Sequence, residues 1–284
     1  MMTMKQFLFC ISFFLVLICF SSCSNTEDAV LEKQNSQQTL EKVQEVEIQE
    51  LITFIEMLNA NQVQTRGRFW DRIKLFFIGD AWGWGYGVEY TSSSMGGLIS
   101  AIVFSVVFAT FSDSLPSQWW RLNSDWKVYS SPLRDYEITG NNHNKAIYDL
   151  MTTDNSIANG TFSNDYLYNS TNKKLKSYGY GYEMSLLEKS RLMLMMDNLK
   201  TCTTVEQFRT LMQRECPQRM SEFELVENYV DGLIDKNDKA TVRSYTKQVY
   251  AQIDASSLTA STISRLKTMI AVAENSKFLW LEIE

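Results

Sequence analysis

Residues 79–87 read Gly79-Asp80-Ala81-Trp82-Gly83-Trp84-Gly85-Tyr86-Gly87, and a short polar link, Tyr90 to Ser94, joins them to the apolar run Met95 to Phe111. Two conformations fit the first stretch. As a strand, Trp82, Trp84 and Tyr86 share one face and the glycines the other. As a helix, Gly79, Gly83 and Gly87 stack every fourth residue into a ridge that lets a second backbone approach closely. The second run favours the helix, because its small residues also recur every four, at Gly97, Ala101, Ser105 and Ala109. Two such ridges either side of a short link predict a tightly packed helical hairpin.

The surroundings predict what covers it. Before the hairpin, Phe69, Ile73, Phe76 and Phe77 share one helical face, interleaved with Arg66, Arg68, Arg72 and Lys74. Farther back, Leu40, Val43, Ile48, Leu51, Ile55 and Leu58 recur at spacings of three to five among glutamates, an amphipathic helix over 39–58. Beyond the hairpin, 112–140 reads as irregular, with Trp119, Trp120, Trp126, Tyr129 and Tyr136 between breaks at Pro116 and Pro132. Gly140 to Asn144 reads as a turn opening a helix, and 153–182 as a polar loop. From Glu183 on, apolar spacing predicts helices at 183–200, 204–215, 220–235, 239–253 and 258–276. Capping-box spacings occur at Thr203/Glu206 and Ser221/Glu224. The predicted fold is mainly α: a multi-helix bundle around a buried glycine-rich hairpin, with irregular aromatic-rich loops.

The N-terminus carries an address. Lys5, an apolar run of roughly 14 residues from Phe7 to Phe20, and Ser21-Ser22-Cys23 have the proportions of a secretory signal, short of the roughly 20 residues of a spanning helix. The segment resembles the lipobox of bacterial lipoproteins, with Phe20 at the position that usually holds Leu. The resemblance implies cleavage after residue 22, lipid on Cys23, and residence in the outer membrane; Glu27 and Asp28 resemble the acidic surface signal of Bacteroidota lipoproteins, which implies exposure at the cell surface. The expected organisation is a signal at 1–22, a lipidated flexible tether at 23–38 and one helical domain at 39–284, with 39–112 and 141–284 as an alternative division. The body, with its basic-aromatic helix, glycine-rich block and His143-Asn144-x-x-Ile147 segment, resembles uncharacterised Bacteroidota lipoproteins with no established activity. Its central block is also similar in texture to small membrane-active bacteriocins.

Charge and cysteines bound the function. Losing residues 1–22 removes one Lys and no acid, taking the formal charge from −6 to −7. Such a chain is ill suited to nucleic acid, whose phosphates call for Lys and Arg. Five cysteines become three on cleavage; Cys23 takes lipid, and Cys202 and Cys216, if on one straight helix, would lie about 20 Å apart, too far for a disulfide. Both are expected as free thiols. His143 is the sole histidine and the candidate for a functional site; a catalytic role needs a partner base or nucleophile within reach. No metal-ligand spacing or cofactor motif stands out, and no fixed repeat period marks a solenoid. The sequence therefore predicts a lipid-anchored envelope protein with no cofactor and no enzymatic activity, partnered by the membrane and by a protein or glycan. The alternatives are membrane insertion through residues 66–111, as in a toxin, and an envelope hydrolase built on His143.

Overall fold

The computed structural model describes residues 24–60, 68–111, 122–127 and 132–281, with side chains from residue 42 on and, after the first gap, from residue 70 on. Eleven α-helices lie among them: α1 (Ser24–Asn59), α2 (Arg68–Thr91), α3 (Ser94–Thr110), α4 (Asp135–Thr153), α5 (Asn155–Ala158), α6 (Asn164–Ser177), α7 (Leu186–Leu199), α8 (Val205–Glu215), α9 (Met220–Ile234), α10 (Lys239–Ala255) and α11 (Ala260–Trp280). No strand occurs among the described residues, and the mainly α bundle read from the sequence is the fold. The chain divides into two compact units, Met1–Val46 and Glu47–Glu284. In the first, Ser24–Val46 is helical backbone, which corrects the flexible tether expected at 24–38. The second holds every described core residue, from Ile48 to Trp280, in one cluster that spans both sides of the alternative boundary at 112–141.

The centre of that unit is the α2–α3 hairpin. Each helical glycine costs about 1 kcal/mol against alanine, and the space each one clears shows how the cost is offset. A Cβ at Gly83 would lie 3.1 Å from the Cα of Ala101 and 2.9 Å from the Phe104 ring; one at Gly87 would lie 2.5 Å from the Gly96 carbonyl oxygen. Gly79 makes room for the Phe108 ring, and a Cβ at Gly97 would lie 2.9 Å from the Trp84 carbonyl oxygen. The glycine ridge of α2 is thus filled by α3, through Gly96, Ser100, Ala101, Phe104 and Phe108, rather than by the whole small-residue ridge expected there; Ala101, Ser105 and Ala109 are buried. Gly85 is off the ridge and admits Phe223 of α9 and Met269 of α11 instead. Trp82 faces away from the seam, stacked between Phe208 (5.1 Å) and Phe223 (4.8 Å), with its indole N–H donating to the Phe223 carbonyl at 3.1 Å. The strand alternative for 82–86 is overturned. A single left-handed residue, Ser92 (φ 51), turns the chain, and Ser93 caps α3 through its hydroxyl, which accepts from Met95 N–H.

α3 is buried from Gly96 through Ala109, as a helix apolar on every side must be. α11 packs on α2 and α4, α9 and α8 on α2, and α4, α6 and α7 on α3. From α1, Ile48, Leu51, Ile52 and Ile55 enter the core. No helix among the described residues is long and apolar enough to cross a membrane.

Several local readings need correction. Residues 135–153 form one helix, so Gly140 to Asn144 is mid-helix rather than a turn; the start is fixed by Glu137, whose carboxylate accepts from Arg134 N–H at 2.8 Å. The polar loop expected at 153–182 holds α5 and α6. Asp154 and Ser163 cap them, and Leu167, Tyr168, Thr171 and Leu175 form the buried stripe of α6. Residues 178–179 turn the chain at Gly179 (φ 88), and 180–185 are irregular. Thr204, not Thr203, caps α8, and Ser221 lies inside α9, which begins at Met220 after a 3-10 turn at Pro217–Arg219. Cys202 therefore precedes α8 and Cys216 ends it; the single-helix premise was wrong, but both thiols are free. Trp126 and Tyr136 of the aromatic segment are buried and half-buried; Trp119, Trp120 and Tyr129 lie outside the described residues.

Candidate functional site

The sequence-predicted candidates separate. Cys23 lies outside the described residues. The ridge residues Gly79, Gly83, Gly87, Gly97, Ala101, Ser105 and Ala109 are packing elements. His143 does gain a partner, Asp80, placed beside it by helices distant in sequence.

α4 presents Gly140, His143, Asn144 and Ile147 on one buried face, the positions i, i+3, i+4 and i+7 of a helix. Gly140 brings α11 close: a Cβ there would lie 2.9 Å from the Ala271 carbonyl oxygen. Asn144 then ties the helices, its amide donating to the Asn275 carbonyl at 2.7 Å and to the Trp126 carbonyl at 3.3 Å. With its Nδ2 committed to two carbonyls, its Oδ1 faces His143 Nδ1 at 3.3 Å. Nδ1 is therefore the donor of the neutral imidazole, and Nε2 turns its lone pair towards Asp80 Oδ2, 3.7 Å away.

Asp80 comes from the middle of α2. Its Oδ2 accepts from Ser105 Oγ of α3 at 3.0 Å and from Ser276 Oγ of α11. Asp80 and His143 are both 0% exposed. Burial raises the Asp80 carboxyl well above the ordinary carboxylate range, against the opposing hydroxyl and indole contacts of Ser276, Ser105 and Trp280. Burial lowers His143 to about 4, against smaller contributions from Asn144 and the Ala101 backbone. Both shifts favour the uncharged forms: a protonated acid beside a neutral imidazole.

Serine, histidine and aspartate meet here, yet not in the order of a nucleophilic relay. There the serine hydroxyl donates to the imidazole and the carboxylate orients the ring; here Ser276 donates to the carboxyl, and Asn144 orients the ring. The arrangement brings together side chains of α2, α3, α4 and α11. Comparison with protein-family models, curated proteins and solved structures finds no match. Lys277 and the two thiols are buried or half-buried as well. Lys277, 1% exposed, donates to the carbonyls of Leu233, Ile234 and Lys236 at the end of α9, and burial pushes it down to about 7. Burial likewise raises the Cys202 and Cys216 thiols to about 11 and 12, which leaves little nucleophilic thiolate.

The sequence did not point to Asp80 as the partner of His143, because 63 positions separate them. One signal was present. An acid inside a glycine ridge, a serine inside an apolar helix and the run Asn275-Ser276-Lys277 inside another all require buried partners. Two carboxylates of the C-terminal half are buried as well: Glu222 is held by Nε and Nη2 of Arg265 at 2.5 and 2.6 Å and by Arg219 at 3.1 Å. Glu227 is buried against Lys74 and Arg209.

Proposed function

We propose that the protein is a lipid-anchored envelope component that acts through its outer surface, as an interaction or structural element, rather than by catalysis. The observation that carries this reading is the sealing of the Asp80–His143 pair. The chain's one histidine and its neighbouring carboxyl are both fully buried, so a substrate would reach them only after the helices around them part. That weighs against the hydrolase alternative, for which a carboxylate near His143 was necessary but access to it equally so. The leader and Cys23 supply the anchor, since several acyl chains give stable residence where one does not.

Expression in a Gram-negative host with labelled palmitate tests it. The wild-type chain is expected to carry label and sediment with outer membranes washed in high salt, and Cys23→Ser to lose both. Unlabelled wild-type protein, or a Cys23→Ser variant equally bound to membranes, overturns the anchor.

Insertion through residues 66–111 is favoured by one observation: the glycine ridge of α2 is filled by α3 of the same hairpin, so it could leave the bundle with its own seam intact. Against it stands Asp80, whose serine and histidine partners lie partly on α4 and α11 and would be left behind. Vesicle leakage is the measurement that separates the two.

A further inference from the structure

Among the described residues, four of the seven exposed large hydrophobic side chains fall on a single hairpin: Leu186 (87%), Leu187 (63%) and Leu194 (62%) on α7, and Tyr166 (45%) on α6. The two helices are fastened together. Lys189 pairs with Asp165 at 2.6 Å, and Asn164 donates to the Met193 carbonyl at 3.1 Å and to Asp197 at 2.8 Å. α7 is capped by Ser185, which exchanges hydrogen bonds with Glu188, so its outward face is presented by a firm helix. Leu192, Met195, Met196 and Leu199 point into the core, and Leu187, Arg191 and Leu194 point out at positions i, i+4 and i+7.

Among the described residues, two cations of this hairpin have no acidic partner, while Lys174, Lys176, Lys189 and Lys200 are paired. Arg191 has no acidic partner among the described residues; its guanidinium lies 4.9 Å from the Tyr90 ring centroid. Lys173, exposed and seven positions from Tyr166 on α6, has no acidic partner among them either. Residues 164–200 carry six basic side chains against four acidic ones, a local surplus in a chain of formal net charge −6.

We propose that the α6–α7 hairpin is a membrane-contact face that seats Leu186, Leu187 and Leu194 in the interfacial layer of an anionic bilayer, with Arg191 and Lys173 on lipid phosphates. Leucines on one side of a helix with interspersed cations suit interfacial burial, where long basic side chains keep their charged ends at the headgroups. A protein partner is a poorer fit, because stable complexes bury roughly 800 Å² on each side, and three leucines and a tyrosine do not make so wide a patch. The inference builds on the lipid-anchor reading only in that an anchor would keep this face beside a membrane.

The test uses the unlipidated chain from Ser24, which retains every described core residue, in co-sedimentation with phosphatidylcholine vesicles with and without phosphatidylglycerol. Salt-sensitive binding to the anionic vesicles is expected. It should drop at least about tenfold in Leu187→Asn/Leu194→Asn and on the order of fivefold in Arg191→Gln, with helix content and melting temperature unchanged. No binding by the parent chain, equal binding to neutral vesicles, or binding indifferent to these substitutions overturns the proposal. So does a concentration-dependent dimer abolished by the leucine variant, which would assign the face to a second copy. Loss of palmitate labelling in the earlier experiment would leave this result standing, so the two readings fail separately.

Discussion

At the scale of single residues, the Asp80–His143 pair sets opposing dependences on pH. His143 titrates near 6.5 when unfolded and at about 4 when folded. Between those values the unfolded chain binds the extra proton, so its contribution to stability is lost as pH falls. Asp80, raised by burial, acts in reverse: over its window the folded chain holds the extra proton, and stability is lost as pH rises. In the wild type the two partly cancel. Replacing Asp80 with Asn keeps an acceptor for Ser105 and Ser276 and exposes the histidine's effect. Between pH 6.5 and 4, Asp80→Asn should lose about 3 kcal/mol more stability than Asp80→Asn/His143→Gln, as read by urea unfolding at each pH. Parallel profiles would mean that His143 is protonated in the fold after all.

At the scale of elements, the hairpin carries the largest single commitment of close packing. Gly87 faces the Gly96 carbonyl oxygen and Ser100 at distances no side chain tolerates, and neither neighbour can swing aside, since one is backbone and the other is buried. Gly87→Val is expected to destabilise the bundle by about 2–3 kcal/mol, measured as a lower urea midpoint with an unchanged slope. The hairpin was legible because its signal is periodic and local: glycine every fourth residue, answered by small residues at the same period. α4 and α6 were not, for two different reasons. In α4, Gly140-Asn141-Asn142 has the composition of a turn. It is held helical by what lies across from it, since Gly140 is the position that lets α11 approach and Asn144 bonds to it. In α6, the apolar stripe Leu167, Tyr168, Thr171 and Leu175 was visible, and so was the cap Ser163, but Asn, Ser and Thr between them outweighed it by propensity. Tertiary packing decided both.

At the scale of the whole molecule, one core binds α1 to α11 within Glu47–Glu284, and the thiols report on its integrity. Cys216 is fully buried and Cys202 half-buried, with both thiols held protonated by burial. At pH 8 a thiol reagent is expected to modify Cys202 first and Cys216 at the rate of global unfolding, with both reacting at once in denaturant. Rapid labelling of Cys216 in the native protein would show that the core opens locally at the end of α8. The candidate site was legible only in part at this scale. His143 could be singled out as the sole histidine, but the helices that seal it, α2 and α11, lie far apart along the chain, and no spacing rule joins them.

That separation also orders events in time. Ser276, whose hydroxyl holds Asp80, lies 196 residues after it, and α11 supplies the wall that both α2 and α4 lean on. At synthesis rates of roughly 5–20 residues per second, the hairpin waits some ten seconds or more for that wall. During the wait its aromatic and apolar faces are uncovered and Asp80 lacks one of its two serine hydroxyls, the state in which α2 and α3 are most prone to associate with a bilayer or with one another. The uncovered interval of a nascent chain of this design therefore runs from the emergence of the hairpin to the arrival of its last helix, and exposure of its apolar faces is concentrated there.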